Sequence, residues 1–302
     1  MALLLVIFFA GGNLAHAQSK IEKTFENISK LEIKGGSIEI SYEGSPGKST
    51  IEVLADLGDE EDAGKNLVFV TIGNTLKISC QTPANHWKGH NKGKKYVRIT
   101  GPESIKLIAN NSSGKMHLKN IKSDLTELRA SSGILEAENI TGDLHLLGSS
   151  GKIAVSNIRG SVICKMTSGI AELENIDGNA DLNSSSGQIK ARNISGELNV
   201  KITSGSVSLE DISTLGELKL SSGLLNAKQV GFGPNTSFWG SSGAFKIKSN
   251  VMLDQFNYDL TAGSGMVKVG KMSSNDHLVI DHGAEHTIKG KIGSGMIFIE
   301  EL

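Results

Sequence analysis

Ser-Gly steps return at an almost fixed interval through the last two-thirds of this 302-residue chain. Their glycines are Gly114, Gly133, Gly151, Gly169, Gly187, Gly205, Gly223, Gly243, Gly265 and Gly295. Five successive intervals are 18 residues long, the first is 19, and the last three are 20, 22 and 30. Such a period marks a repeat architecture, in which one unit buries its apolar face only against the next.

Within a repeat, apolar residues stand two and four places after the glycine: Ile153 and Val155, Ala171 and Leu173, Ile189 and Ala191, Val207 and Leu209. Charged residues such as Glu172 and Lys190 take the places between. Alternation with period two is the pattern of a half-buried strand. Seven places after the glycine comes an aliphatic residue: Ile121, Ile140, Ile158, Ile176, Ile194, Ile212 and Val230. A turn glycine often follows, as at Gly142, Gly160, Gly178 and Gly196. A second alternating run, such as Val162, Cys164 and Met166, closes the unit. Glycine about every nine residues and apolar spacing of two argue against a helix. The predicted fold is all-β: a β-solenoid, or single-stranded β-helix, with coils of about 18 residues. Equal phases stack at about 4.8 Å, and the chirality of twisted crossovers favours a right-handed coil.

The uneven intervals keep this register. Counting forward from Gly114 places Met116 and Leu118 inside; counting back from Gly133 places Leu128 and Ala130 inside. A bulge is therefore predicted near Asp124 and Leu125, because a one-residue slip would turn every later side chain over. The same backward count puts Phe238, Tyr258, Leu260 and Ala262 inside. Coils succeeding one another in chain order would raise the array by roughly 45 Å from Gly114 to Gly295, at about 4.8 Å each.

Asn120, Asn139, Asn157, Asn175 and Asn193 share one phase, continued by Asp211 and lost after Gly223. Asparagine tolerates left-handed backbone, and stacked amides hydrogen-bond along a solenoid axis. The column predicts a structural ladder rather than a polar binding site. The serines before each glycine read as turn residues, since no histidine or acid shares their spacing.

Residues 1–17, MALLLVIFFAGGNLAHA, carry an apolar stretch from Leu3 to Ala10 and then Ala15-His16-Ala17, the features of a cleaved secretory signal. Gln18 rather than cysteine follows, which argues against a lipid anchor there. No later run of about 20 apolar residues predicts a membrane span. Residues 18–103 show strands at irregular spacing, with Gly36 to Ile40 already in coil pattern. They are predicted to start the solenoid and cap its open edge, in one domain with the repeat array of residues 104–302. Cys80 and Cys164 fall on inward phases and read as small core residues rather than a bridge or a metal site. A formal net charge of −1 with both signs interspersed predicts no general attraction to nucleic acid. Aromatic residues make up 5 %, few for a sugar-stacking groove.

Three segments hold candidate chemistry. His86 to Lys95 form a basic loop around Trp87, suited either to an acidic glycan or phosphate-bearing polymer, or to a solvated hairpin tip facing Asp56, Asp59, Glu60, Glu61 and Asp62. The second reading is preferred. The glycines of that loop oppose the helix on which His86 and His90 would bind zinc, and the acidic stretch lacks the ligand alternation of a calcium loop. Asp276-His277, Asp281-His282 and Glu285-His286 lie together in the 30-residue interval, beside an additional strand from Leu278 to Ile280. A metal or acid–base site there is opposed by the placement of His277 and His282 on opposite sides of a strand. No carboxylate pair occupies one cleft phase on neighbouring coils, as a glycosidase groove requires. The sequence thus predicts no catalytic, cofactor-binding or metal-ligating residue, and no enzyme.

The recurring run of Ser-Ser-Gly, alternating apolar residues, Asn-Ile and Gly spans Ser132 to Gly142, Ser150 to Gly160, Ser168 to Gly178 and Ser186 to Gly196. It resembles the bacterial putative adhesin domain family of unknown function, which is similar in turn to the head-GIN auto-transporter adhesins. The resemblance covers the chain from about residue 30 to the end and implies a β-helical fold. It transfers no binding residue. Signal, repeat and resemblance together predict an exported, non-catalytic protein of the periplasm or cell surface, an adhesin-like module for an envelope polysaccharide or protein. A carbohydrate-active β-helix enzyme and a structural or signalling scaffold are the alternatives.

Overall fold

The inward and outward alternation recurs in the computed structural model, which describes residues 20–57, 67–80 and 95–302. The signal segment 1–17, the loop from His86 through Lys94 and the acids Asp59 to Asp62 lie outside the described residues. Those described are almost all strand, apart from one 3-10 turn at Leu253–Gln255.

Successive coils pair in parallel and in register, so Ile121, Ile140, Ile158, Ile176 and Ile194 stand directly beside one another. Leu135, Ile153, Ala171 and Ile189 form a second inner column; Ala137, Val155, Leu173 and Ala191 form a third. All are buried. Within a coil a small residue in one column can stand beside a large one in the next, as with Ala171 and Leu173.

Two corner columns are marked by left-handed backbone. From Gly114 to Gly223 the repeat glycines have φ between 90° and 137°. Each lies against the one before, so a Cβ on Gly151 would stand 2.1 Å from the carbonyl oxygen of Gly133. Neither the dihedral nor the space admits a side chain. At the opposite corner the ladder asparagines hold φ between 53° and 58°. Asn139, Asn157, Asn175 and Asn193 each donate Nδ2 to the Oδ1 of the preceding rung, at 3.1, 3.1, 2.9 and 2.8 Å. Asp211 and Gln229 keep the same left-handed backbone at φ 54°. The corner thus outlasts its asparagines by two coils.

The 19-residue repeat contains the predicted bulge. Thr141 faces Lys122 and Asp143 faces Leu125, leaving Ser123 and Asp124 opposite Gly142 alone. One consequence lies in the core, where Thr126 pairs with Leu144 on the inward side. Its Oγ1 is buried and has no hydrogen-bond partner among the described residues.

Chain order and spatial order part at both ends, which corrects the expected steady rise from Gly114 to Gly295. The last strand, Thr287–Glu301, lies between 237–249 on one side and Asn257–Val269 on the other. Ile297 accordingly faces both Phe245 and Val267. Side-chain size fits this order. Gly290 sits between Phe238 and Leu260, and a Cβ there would come 2.8 Å from Leu260 Cδ2 and 3.2 Å from the Phe238 carbonyl oxygen. Asn257–Val269 is the outermost coil, and its free edge is covered by antiparallel strands Met272–Ser274 and His277–Ile280.

The other end follows the same plan. Lys30–Lys34 and Glu39–Ser45 form a coil flanked outward by Thr75–Cys80 and Tyr96–Pro102, and inward by Lys106–Asn111 and Lys115–Ala130. The outer pair is covered by antiparallel Leu67–Ile72 and Ile51–Asp56, with Lys20–Phe25 beyond the latter. Antiparallel cover at both ends blunts the parallel edges, the usual route to unwanted strand addition.

Candidate functional site

The filled interior leaves the outer faces as the places where ligands can meet the chain. One face carries the residues one, three and five places after each glycine. Opposite charges meet there from coil to coil: Lys119 to Glu43 at 3.0 Å, Lys115 to Glu136 at 2.8 Å, Arg192 to Glu210 at 2.9 Å and Lys268 to Glu300 at 2.7 Å. Glu172 is bracketed by Lys152 and Lys190, whose hydrogen bonds hold its carboxyl below the usual range. A general acid needs the opposite shift, so this carboxylate is suited to zipping coils together rather than to proton donation. A depression of about 440 Å³ over these residues is lined by Glu136, Glu138, Glu172, Glu174, Lys190 and Arg192, among others.

The asparagine corner borders a longer groove of about 790 Å³. Its ladder amides are engaged with one another from coil to coil. Likewise, Ser150 and Ser168 donate to carbonyl oxygens of the preceding coil, Ser131 and Ser149, at 3.3 and 3.5 Å. These serines serve the turn.

The second outer face is set by residues four places before each glycine. Lys165 pairs with Asn183, Trp239 with Lys291, and Lys291 with Thr261. Lys201, Lys219, Trp239 and Lys291 line one shallow groove of about 470 Å³. Trp239 is 37 % exposed, and its indole N–H has no hydrogen-bond partner among the described residues. Sequence reasoning singled out Trp87 and missed this residue, whose one signal is an outward place beside inward Phe238. The insertion of the last coil, which brings Lys291 beside Trp239, has no linear signature.

The histidine-rich stretch is the cover of the outermost coil, and its side chains turn to separate partners. His277 Nε2 lies 2.7 Å from Asp259 Oδ1, and His282 Nδ1 lies 2.8 Å from the Phe256 carbonyl oxygen. Asn257 Oδ1 accepts from the backbone N–H of His282 and of Ala284, tying the loop to the coil. Among the described residues no three metal-capable side chains gather. Of the basic loop only Lys95 is described; its carbonyl oxygen accepts from Glu39 N–H at 3.1 Å. Burial pushes the Cys164 thiol up to about 12 and that of partly buried Cys80 to about 11, so neither is primed as a nucleophile. No helix among the described residues is long and apolar enough to cross a membrane.

No curated protein matches this sequence. Among solved structures the chain is similar to a "putative lipid binding protein" from Parabacteroides distasonis, with 19 % identity and a TM-score of 0.48, covering 94 % of this chain and 96 % of that one. A "putative adhesin" from Bacteroides fragilis shares 16 % identity at a TM-score of 0.42, covering 95 % and 99 % respectively. Another so named, from Parabacteroides distasonis, shares 15 % at 0.46, covering 91 % and 98 %. The family profile of Toastrack DUF4097 matches residues 28–299, and the chain belongs to that family of unknown function.

Proposed function

We propose that this chain is an exported, non-catalytic module of the cell envelope or surface, offering its outer sheet faces to an extended polymer or a protein. The carrying observation is the unbroken run of equal-phase columns across those faces, which repeats the same side-chain position about every 4.8 Å. Such a surface suits a partner that is itself extended and periodic. The adhesin names of two similar structures, and an amino-terminal segment with the features of a secretory signal, agree with this reading.

Purified protein applied to a glycan array and used in pull-downs from envelope extract tests the binding role. Saturable capture of a polymer or of a defined protein is expected; blanks in both contradict it. Protease shaving of intact cells, compared with fractionated cells, distinguishes a surface protein from a periplasmic one.

A further inference from the structure

Resting on the binding role just proposed, we infer that the face carrying Trp239 is the site for a linear, carboxylate-bearing polysaccharide. Its core is a row on successive coils: Lys165, Asn183, Lys201, Lys219, Trp239 and Lys291. Five steps of about 4.8 Å give the row a length of roughly 24 Å.

The row differs in charge from the opposite face. There, acids stand among the cations and pairs between neighbouring coils close at 2.5 to 3.0 Å. Here Lys201 adjoins Lys219, and no acid occupies the row. Like charges placed directly across a sheet are destabilising. The acids next to it are already engaged: Glu217 with Lys219 at 2.8 Å, Asp181 with the Asn199 amide at 3.1 Å, and Asp259 with His277 at 2.7 Å. Lys165, Lys201 and Lys291 have no acidic partner among the described residues. The row thus carries three cations without an acidic partner along one line, available to an external polyanion.

Trp239 supplies the second part. Its exposed ring offers an apolar plane with a free N–H at the rim, suited to the hydrogen-lined face of a sugar ring and one of its hydroxyls. Thr203, Ser221 and Ser241 border the same groove and present further hydroxyls. Lysines spaced along a line match charges spaced along a chain, not a single small anion. A nucleic-acid strand fits less well, with one phosphate about every 3.4 Å of axis against at most one cation per coil here.

Polygalacturonate oligosaccharides long enough to span the row are the probe, read by Trp239 fluorescence in a Trp87→Phe background and by calorimetry. Saturable binding that weakens with added salt is expected. Trp239→Ala, and separately Lys201→Ser with Lys291→Ser, should each weaken it about tenfold or more. Lys246→Ser on the other face should leave it unchanged, and thermal melts of all variants should match the parent. Neutral dextran should not bind. Absence of polygalacturonate binding, or binding unaffected by the row variants, overturns the inference, as does tighter binding of polyglutamate or a single-stranded oligonucleotide. If glycan-array or envelope capture persists in the row variants, the general binding role survives and this row is not its site.

Discussion

The middle coils and the two ends solve the same problem by different means. Between Gly133 and Gly223 each coil has a neighbour of equal phase on both sides, and chain order is spatial order. At the ends one neighbour is missing. The chain there folds back so that the coil at 30–45 and the coil at 287–301 are both enclosed, while antiparallel strands take the outermost positions. Stacking of equal phases therefore sets the width of the column, and edge protection sets the order of its terminal coils.

Glycine substitutions test this contrast with the largest effect. Gly169→Val places a side chain 2.1 Å from the Gly151 carbonyl oxygen at φ 115° and should cost more than about 4 kcal/mol, enough to abolish cooperative unfolding by circular dichroism. Gly295→Val should be as damaging although it lies near the chain end, because its Cβ would meet the Gly243 carbonyl oxygen of the enclosing coil. Gly283→Ala, with φ 68° and nothing within 4 Å, should cost only about 1–2 kcal/mol in urea melts. A mild Gly295→Val would break the comparison.

At the asparagine corner, Asn157→Ala should cost about 1–2 kcal/mol, since alanine resists the left-handed backbone and two ladder bonds are lost. Asn157→Gly should recover most of that, because glycine accepts the dihedral. A smaller change, of opposite sign, is expected at the bulge. Thr126→Val removes a buried hydroxyl without a partner and should raise stability by about 1 kcal/mol in the same urea assay.

The smallest effect concerns the charge zipper. Glu172→Gln should lose no more than about 1 kcal/mol, because the pairs are partly solvated and screened. The Glu172 carboxyl is depressed in the folded chain, so its contribution is complete above the unfolded value near 4.5 and disappears as pH falls through the lower folded value. The gap between parent and variant melts should therefore close in acid and remain open at neutral pH.

The repeat was legible because glycine and the ladder asparagines mark backbone states that few residues tolerate, and because period two separates Ile153 from Lys152. Even the bulge at Ser123 and Asp124 could be counted from the spacing. The terminal order was not legible, since equal-phase coils present nearly interchangeable apolar faces and Phe245 could stack on Val267 as well as on Ile297. The deciding features, Gly290 between Phe238 and Leu260 and the cover strand at His277–Ile280, act through neighbours that no linear spacing reveals. The Trp239 face was hidden for the same reason: Lys291 is 52 residues away in sequence and one coil away in space.

Cysteine pairs on the outer face test the enclosed terminal coil most directly. In a Cys80→Ser background, Lys246→Cys with Phe298→Cys places two thiols on directly paired positions of adjacent coils. Lys246 and Lys268 flank Phe298 on either side, about 9.6 Å apart, beyond the Cα separation of about 4.4–6.8 Å that a disulfide spans. Mild oxidation should close the Lys246→Cys, Phe298→Cys pair and leave the Lys246→Cys, Lys268→Cys pair open. Closure of the second pair instead of the first would show the coils following chain order to the end, and would contradict the account.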